Sequence, residues 1–284
     1  MRRTTGNKRS FVAKIPRNQP RPLRGIHYPV NRGILLAIKI MNKKQLALFS
    51  GLMLWSALVS ASPHWSYGGD DGPANWGRLS PDFSMCERGS NQSPINIEGA
   101  LKAGLAPLQV DYAAHGADIV NNGHTIQIGF EPGNSLMLDG TSFELRQVHF
   151  HAPSENQIEG VSFPFEAHLV HADKNGKLAV IAIMFNMGNA NQGLGAIWPE
   201  LPTAQGSAVK LTARIKPADL MPANLGYYRF SGSLTTPPCS EGVRWLVLKT
   251  PVSASRAQIE AFEKIMNQPT NRPIQALNAR LVVQ

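Results

Sequence analysis

Phe143-Glu144-Leu145-Arg146-Gln147-Val148-His149-Phe150-His151 partly alternates large apolar with polar side chains, the period-two pattern of a strand with one face packed on a core. That period puts Gln147, His149 and His151 on one face. A second run, Glu166-Ala167-His168-Leu169-Val170-His171, aligns Glu166, His168 and Val170 in the same way. Histidines facing one way along a strand also fit a surface pair or a hydrogen-bonded core pair, so spacing alone does not decide. The neighbours favour a metal. Gln147 precedes His149 by two positions and Glu166 precedes His168 by two, so each imidazole has a same-face partner able to accept its other ring N–H. A carboxylate buried there is costly without a charged partner, which a metal-bound histidine supplies. Three neutral imidazoles with an open fourth position are the ligand set of a catalytic zinc site, whereas a structural site closes that position with Cys or another His.

Working outward, the dominant signal is strand. His124-Thr125-Ile126-Gln127-Ile128, Leu178 to Phe185 and Val243 to Leu248 are short, β-branched or aromatic runs. Turn clusters at Glu131-Pro132-Gly133-Asn134 and Asp173-Lys174-Asn175-Gly176 separate such runs, and Asn175-Gly176 predicts a hairpin. From Ser62 to about Asn91 the chain is rich in Gly, Trp, Asp and Pro, which predicts an irregular arm. Helix is scarce: Ser255 to Met266 carries Ile259, Phe262, Ile265 and Met266 at helical spacing. The expectation is a single mainly β domain, of α+β class, built on a large antiparallel sheet.

The formal charge of +9 would suggest a nucleic acid or membrane partner if it were spread over the fold. It is not. Residues 1–60 hold 12 of the 28 Lys and Arg and none of the 19 Asp and Glu, leaving 16 basic against 19 acidic groups in the rest. Lys43 and Lys44, the apolar stretch Leu46 to Val59 and the small residues Val59-Ser60-Ala61 have the layout of a secretory signal, with cleavage after Ala61. The apolar stretch is shorter than the roughly 20 residues of a membrane span, so no stable span is expected in the mature protein. Residues 1–40 form a basic leader, either a long presequence or translated from upstream of a true start at Met41. No aromatic residue is interleaved with its charges in the way single-strand binders require, so this leader does not read as a nucleic-acid arm. The domains are therefore 1–40 leader, 41–61 signal peptide and 62–284 catalytic domain, in a periplasmic or secreted product. Cys86 and Cys239, an even pair in an exported chain, read as a disulfide, with two buried thiols as the alternative.

Several segments resemble the alpha-class carbonic anhydrases in their bacterial form. They are Gln147-Val148-His149-Phe150-His151 with Ala152-Pro153-Ser154-Glu155-Asn156 after it, Glu166-Ala167-His168-Leu169-Val170-His171, and Gly232-Ser233-Leu234-Thr235-Thr236-Pro237-Pro238. Further matches are His64-Trp65-Ser66-Tyr67, Asn91-Gln92-Ser93-Pro94-Ile95-Asn96-Ile97, Asn122-Gly123-His124 and Asn271-Arg272-Pro273. They run in family order from about Ser62 to the C-terminus. The resemblance implies a twisted, largely antiparallel sheet of about ten strands with Zn2+ at the base of a conical cleft, and reversible hydration of carbon dioxide to bicarbonate by a zinc-bound hydroxide.

By position, the resemblance makes His149, His151 and His168 the zinc ligands, with Gln147 and Glu166 behind them. Thr235 accepts a hydrogen bond from the nucleophile and donates its own proton to Glu155. Val170, Val180, Leu234, Val243 and Trp245 match the apolar wall for carbon dioxide, and Thr235 and Thr236 complete the substrate-binding set. His124 matches the proton shuttle, with Tyr67, Asn122 and Gln127 on its polar path. Cys86 and Cys239 match the disulfide of exported members, and Ser93-Pro94 and Pro237-Pro238 match cis peptides. Sulfonamides and anions are implied as inhibitors and a homodimer is compatible, while no nucleic-acid partner is implied. Gln127, where many animal members have Asn, removes no catalytic group. Two rival classes are weaker. A silent binding module would have lost a ligand, and a zinc peptidase would need a His-Glu-x-x-His helix. His64, His115 and His171 are left as surface or structural residues.

Overall fold

The two histidine-bearing runs fold as neighbouring antiparallel strands in a computed structural model that describes residues 63–284. The leader and signal segments lie outside the described residues. In chain order the strands are β1 (Asn96–Ile97), β2 (Gln109–Tyr112), β3 (Gly116–Asn121), β4 (Ile126–Phe130), β5 (Asn134–Leu138), β6 (Thr141–His151), β7 (Gln157–Ile158), β8 (Val161–Ser162), β9 (Phe165–Ala172), β10 (Leu178–Met187), β11 (Ala208–Lys210), β12 (Tyr227–Ser233), β13 (Glu241–Leu248) and β14 (Val252–Ala254). Eleven of them form one sheet in the order β11-β3-β4-β6-β9-β10-β13-β12, with β5 beside β6, β2 beside β5 and β14 beside β10. The remaining three, β1, β7 and β8, make a small separate sheet.

The large sheet is mostly antiparallel, as the sequence predicts, but β10 pairs in parallel with both β13 and β14. Parallel pairing needs a long crossover, and residues between β10 and β13 supply it. β10 accordingly sits in the middle and is buried on both faces. Ala179, Ile181, Ile183 and Phe185 enter one apolar cluster, while Val180, Ala182 and Met184 enter the other. A strand buried on both sides reads as a continuous apolar run rather than an alternating one.

The β9–β10 hairpin turns where Asn175-Gly176 predicts. Asp173 Oδ1 accepts from the Asn175 and Lys177 N–H groups, and Gly176 takes a φ of +77° that side chains disfavour. The helix Arg256–Met266 closes one face of the sheet with Ile259, Phe262 and Met266. Ser255 and Gln258 form a reciprocal capping box at its start. The arm before Asn91 is less irregular than its composition suggests, since Trp76–Leu79 and Met85–Arg88 are single helical turns. The strand expected from His124 starts at Ile126 instead. Asn122 Oδ1 accepts from the His124 and Thr125 N–H groups, which holds His124 in a turn at the strand entrance.

Candidate metal centre and active site

β6 and β9 bring the three imidazoles together because His149 and His168 are directly opposed across the ladder. His151, two residues along β6, falls on the same face. Ring centroids lie 4.6–5.1 Å apart, and one nitrogen from each ring falls within 4.8 Å of the others. The opposite nitrogens are held. His149 Nδ1 meets Gln147 Oε1 at 2.8 Å, His151 Nδ1 meets the Thr270 carbonyl at 2.5 Å, and His168 Nε2 meets Glu166 Oε1 at 2.9 Å. His151 Nε2 is buried with no hydrogen-bond partner among the described residues. A buried nitrogen left so is costly, and a cation between the three rings would satisfy it. Burial is the first cause that lowers the pKa of all three histidines, reinforced at His149 and His168 by neighbouring imidazoles. Neutral imidazole is the ligating state. The donor set fits zinc.

Glu155 is buried beside this cluster, its Oε2 3.4 Å from His151 Nε2 and 3.9 Å from His168 Nδ1. Its Oε1 accepts the Arg272 backbone N–H at 2.9 Å. Burial pushes the Glu155 carboxyl well above the usual carboxylate range, while the Arg272 N–H and the Thr235 hydroxyl pull it down. A divalent cation held by the three imidazoles would pull in the same direction as those two groups. Thr235 is buried in the turn after β12. That turn is held by the Leu234 N–H on the Ser240 carbonyl, the Cys239 N–H on the Thr236 carbonyl, and the cis Pro237-Pro238 bond. Ser93-Pro94 is cis as expected, and Ala152-Pro153 is a third cis bond that the resemblance did not mark.

The Cys86–Cys239 disulfide is formed, which excludes the two-thiol alternative and is consistent with an exported protein. Val180, Val243 and Trp245 belong to one apolar cluster, with Val170 and Leu234 packed against it. The Trp245 ring stands edge-on to His168 at 4.9 Å, so the expected wall adjoins the imidazoles. Thr236 lies half-buried next to Thr235.

His124 stacks flat on Trp65, centroids 3.7 Å apart with 8° between planes. Burial, then the neighbouring His64, lower its pKa. Gln127 is directly opposite His149 on β4. Burial and then the Glu155 charge raise the Tyr67 phenol. Asn122 is occupied in its turn, its Oδ1 committed to backbone. His64 is exposed and lies 3.9 Å from Asp71, whereas His171 is buried against the Tyr112 hydroxyl at 2.8 Å.

Sequence reasoning missed four contributors. Thr270 reaches His151 through its backbone carbonyl, which leaves no side-chain signal. Arg272 is buried with its guanidinium on Gln92 Oε1 and the Ser93 and Cys86 carbonyls. Asn156 holds Glu166 by two hydrogen bonds, and Trp65 supports His124. Asn156, Arg272 and Trp65 lay inside quoted motifs without a role. Among the described residues no helix is long and apolar enough to cross a membrane.

The family model for eukaryotic-type carbonic anhydrase matches residues 71–284. The carbonic anhydrase of Pectobacterium carotovorum is 52% identical over 229 residues, covering 81% of this chain and 94% of that protein. Among solved structures, the alpha-carbonic anhydrase of Thermovibrio ammonificans in complex with the inhibitor sulfanilamide superposes with a TM-score of 0.78 at 50% identity, covering 79% of this chain and all of that one. The alpha-carbonic anhydrase of Photobacterium profundum gives a TM-score of 0.75 at 47% identity, covering 78% of this chain and 100% of that one. With the imidazole cluster and the sheet that carries it, these likenesses place the chain in the alpha carbonic anhydrase family, zinc enzymes that interconvert carbon dioxide and bicarbonate.

Proposed function

We propose that His149, His151 and His168 hold the zinc of this carbonic anhydrase, and that Thr235, Glu155 and His124 serve its reversible hydration of carbon dioxide. The observation that carries this reading is the convergence of three ring nitrogens whose opposite nitrogens are all engaged. These three neutral imidazoles would hold a zinc ion, which would lower the pKa of a bound water to about 7, a magnitude established on carbonic anhydrase itself, and so supply a nucleophile at neutral pH.

The chain does the rest. Gln147, Glu166 and the Thr270 carbonyl fix the ring tautomers. Ionised Glu155 can only accept, so the Thr235 hydroxyl must donate to it and keeps a lone pair to accept from the nucleophile. That aims the attacking lone pair at the substrate carbon. Val170, Val180, Leu234, Val243 and Trp245 offer an apolar surface to carbon dioxide, while the Thr235 N–H holds the product anion, with Thr236 beside it. His124, whose pKa is lowered first by partial burial and then by His64, takes the proton that Tyr67, Asn122 and Gln127 help to relay. Sulfonamide anions compete at the same position, as sulfanilamide inhibits the Thermovibrio relative. Residues 41–61 direct export to the periplasm or beyond and are removed.

Metal analysis with stopped-flow hydration assays tests this. One zinc per chain and sulfanilamide-sensitive hydration are expected, with both zinc and activity lost in His168→Ala. A zinc-loaded, inactive parent would identify a binding module instead. N-terminal sequencing of exported protein should begin at Ser62.

A further inference from the structure

Glu166 receives four hydrogen bonds, two on each oxygen. Oε1 accepts from His168 Nε2 at 2.9 Å and from Asn156 Nδ2 at 2.8 Å. Oε2 accepts from the Glu155 N–H at 2.6 Å and the Asn156 N–H at 2.9 Å. A carboxylate has about four acceptor sites, so this one is saturated. A proton on either oxygen would point at a donor already there. Asn156 is fully buried, and its Oδ1 accepts the Ile95 N–H at 3.2 Å.

The geometry points to Asn156 as a positioning residue of the metal centre: its side-chain amide completes the donor set that holds the Glu166 carboxyl group in place, and through Glu166 orients both His168 and the Glu155 peptide. This rests on the zinc reading above. A saturated carboxylate leaves His168 one arrangement, with Nε2–H toward Glu166 and Nδ1 toward the metal. The same clamp holds the 155–156 peptide, so the acceptor for Thr235 and the third metal ligand are set by one group. The two ends of the Asn156 amide have separable tasks. Oδ1 ties the chain to Ile95, just before β1, and only Nδ2 serves Glu166.

Asn156→Asp separates them. The introduced carboxyl keeps an acceptor for Ile95 but loses the donor to Glu166. When protonated it restores an O–H donor, and when ionised it repels Glu166. The other titratable or charged groups around this point are Glu155, His151, His168 and Arg272. They are the same in parent and variant, so the comparison is made as a ratio at each pH. Zinc release to a chelator is followed in the holoprotein from pH 6 to 9. In Asn156→Asp, release relative to parent should accelerate by about 10–100-fold as pH rises, the size typical for groups that orient metal ligands. In Asn156→Leu, which removes both ends, release should be faster by a ratio that stays constant with pH. Release within twofold of parent at every pH in both variants would overturn the role of Asn156. A parent that holds no zinc would instead overturn the zinc reading. If Asn156→Leu fails to fold, Asn156→Asp decides the matter alone: a flat, unchanged ratio refutes the proposal and a rising one supports it.

Discussion

The Cys86–Cys239 disulfide closes a loop with a sequence separation of 153 residues, and its removal has a calculable cost. In the chain-entropy model, opening so long a loop frees the unfolded chain by about 5 kcal/mol. For a domain of this size 1 kcal/mol moves Tm by about 2–4 °C, so Cys86→Ser/Cys239→Ser should melt about 10–20 °C below the parent. The folded geometry need not change, because neighbours hold both ends. Gln92 Nε2 donates to the Cys239 carbonyl, and Arg272 to the Cys86 carbonyl. The loss should therefore appear in the refolding rate rather than the unfolding rate, and the zinc-loaded variant should retain hydration activity at 25 °C. Calorimetry with stopped-flow refolding in denaturant reads all three. A Tm within about 3 °C of the parent would refute the reasoning, and a loss carried wholly by faster unfolding would refute it by assigning the disulfide to native-state rigidity of the Thr235 turn.

Thr235→Ala should lower the hydration rate with zinc still bound, and unchanged turnover would remove Thr235 from the mechanism. His124→Ala should lower maximal hydration at low buffer and be rescued by imidazole. Direct proton release from a group of pKa near 7 is capped at roughly 10²–10³ s⁻¹ by diffusional recapture, so equal rates in both proteins above that cap would identify another route. Gly232→Ala should cost about 1–3 kcal/mol by denaturant titration, because a Cβ there would lie 2.1 Å from Ser93 Oγ; a neutral result would show that β12 can shift. His171 has its pKa lowered to about 4 by burial, against about 6.5 in an unfolded chain. The unfolded state then binds the extra proton, so stability falls as pH drops from 6.5 toward 4, by about 3 kcal/mol. His171→Gln should flatten that part of the pH–stability curve, and an unchanged slope would refute it.

Much of the centre is legible in the chain because it is built on strands. A period of two tells which of Gln147, His149, His151, Glu166 and His168 share a face, and no other information is needed for that. The Asn175-Gly176 turn and the Ser255–Met266 helix are equally local, since a positive φ and a 3.6-residue stripe are written in adjacent residues. The resemblance extended the reading to Thr235 and Glu155, which are far apart along the chain, whereas the disulfide already followed from an even pair of cysteines in an exported chain. What the sequence could not contain is contact made across the fold by backbone atoms or by residues without a pattern. The Thr270 carbonyl on His151, the Arg272 N–H on Glu155 and the fourfold saturation of Glu166 depend on which loops the sheet brings together. The parallel pairing of β10 was hidden for the same reason, because a strand buried on both faces shows no alternation. Local periodicity determined the faces and the residue types at the metal; only the tertiary structure decided their partners, since a hydrogen bond between residues 119 positions apart is set by the path of the chain and not by its spelling.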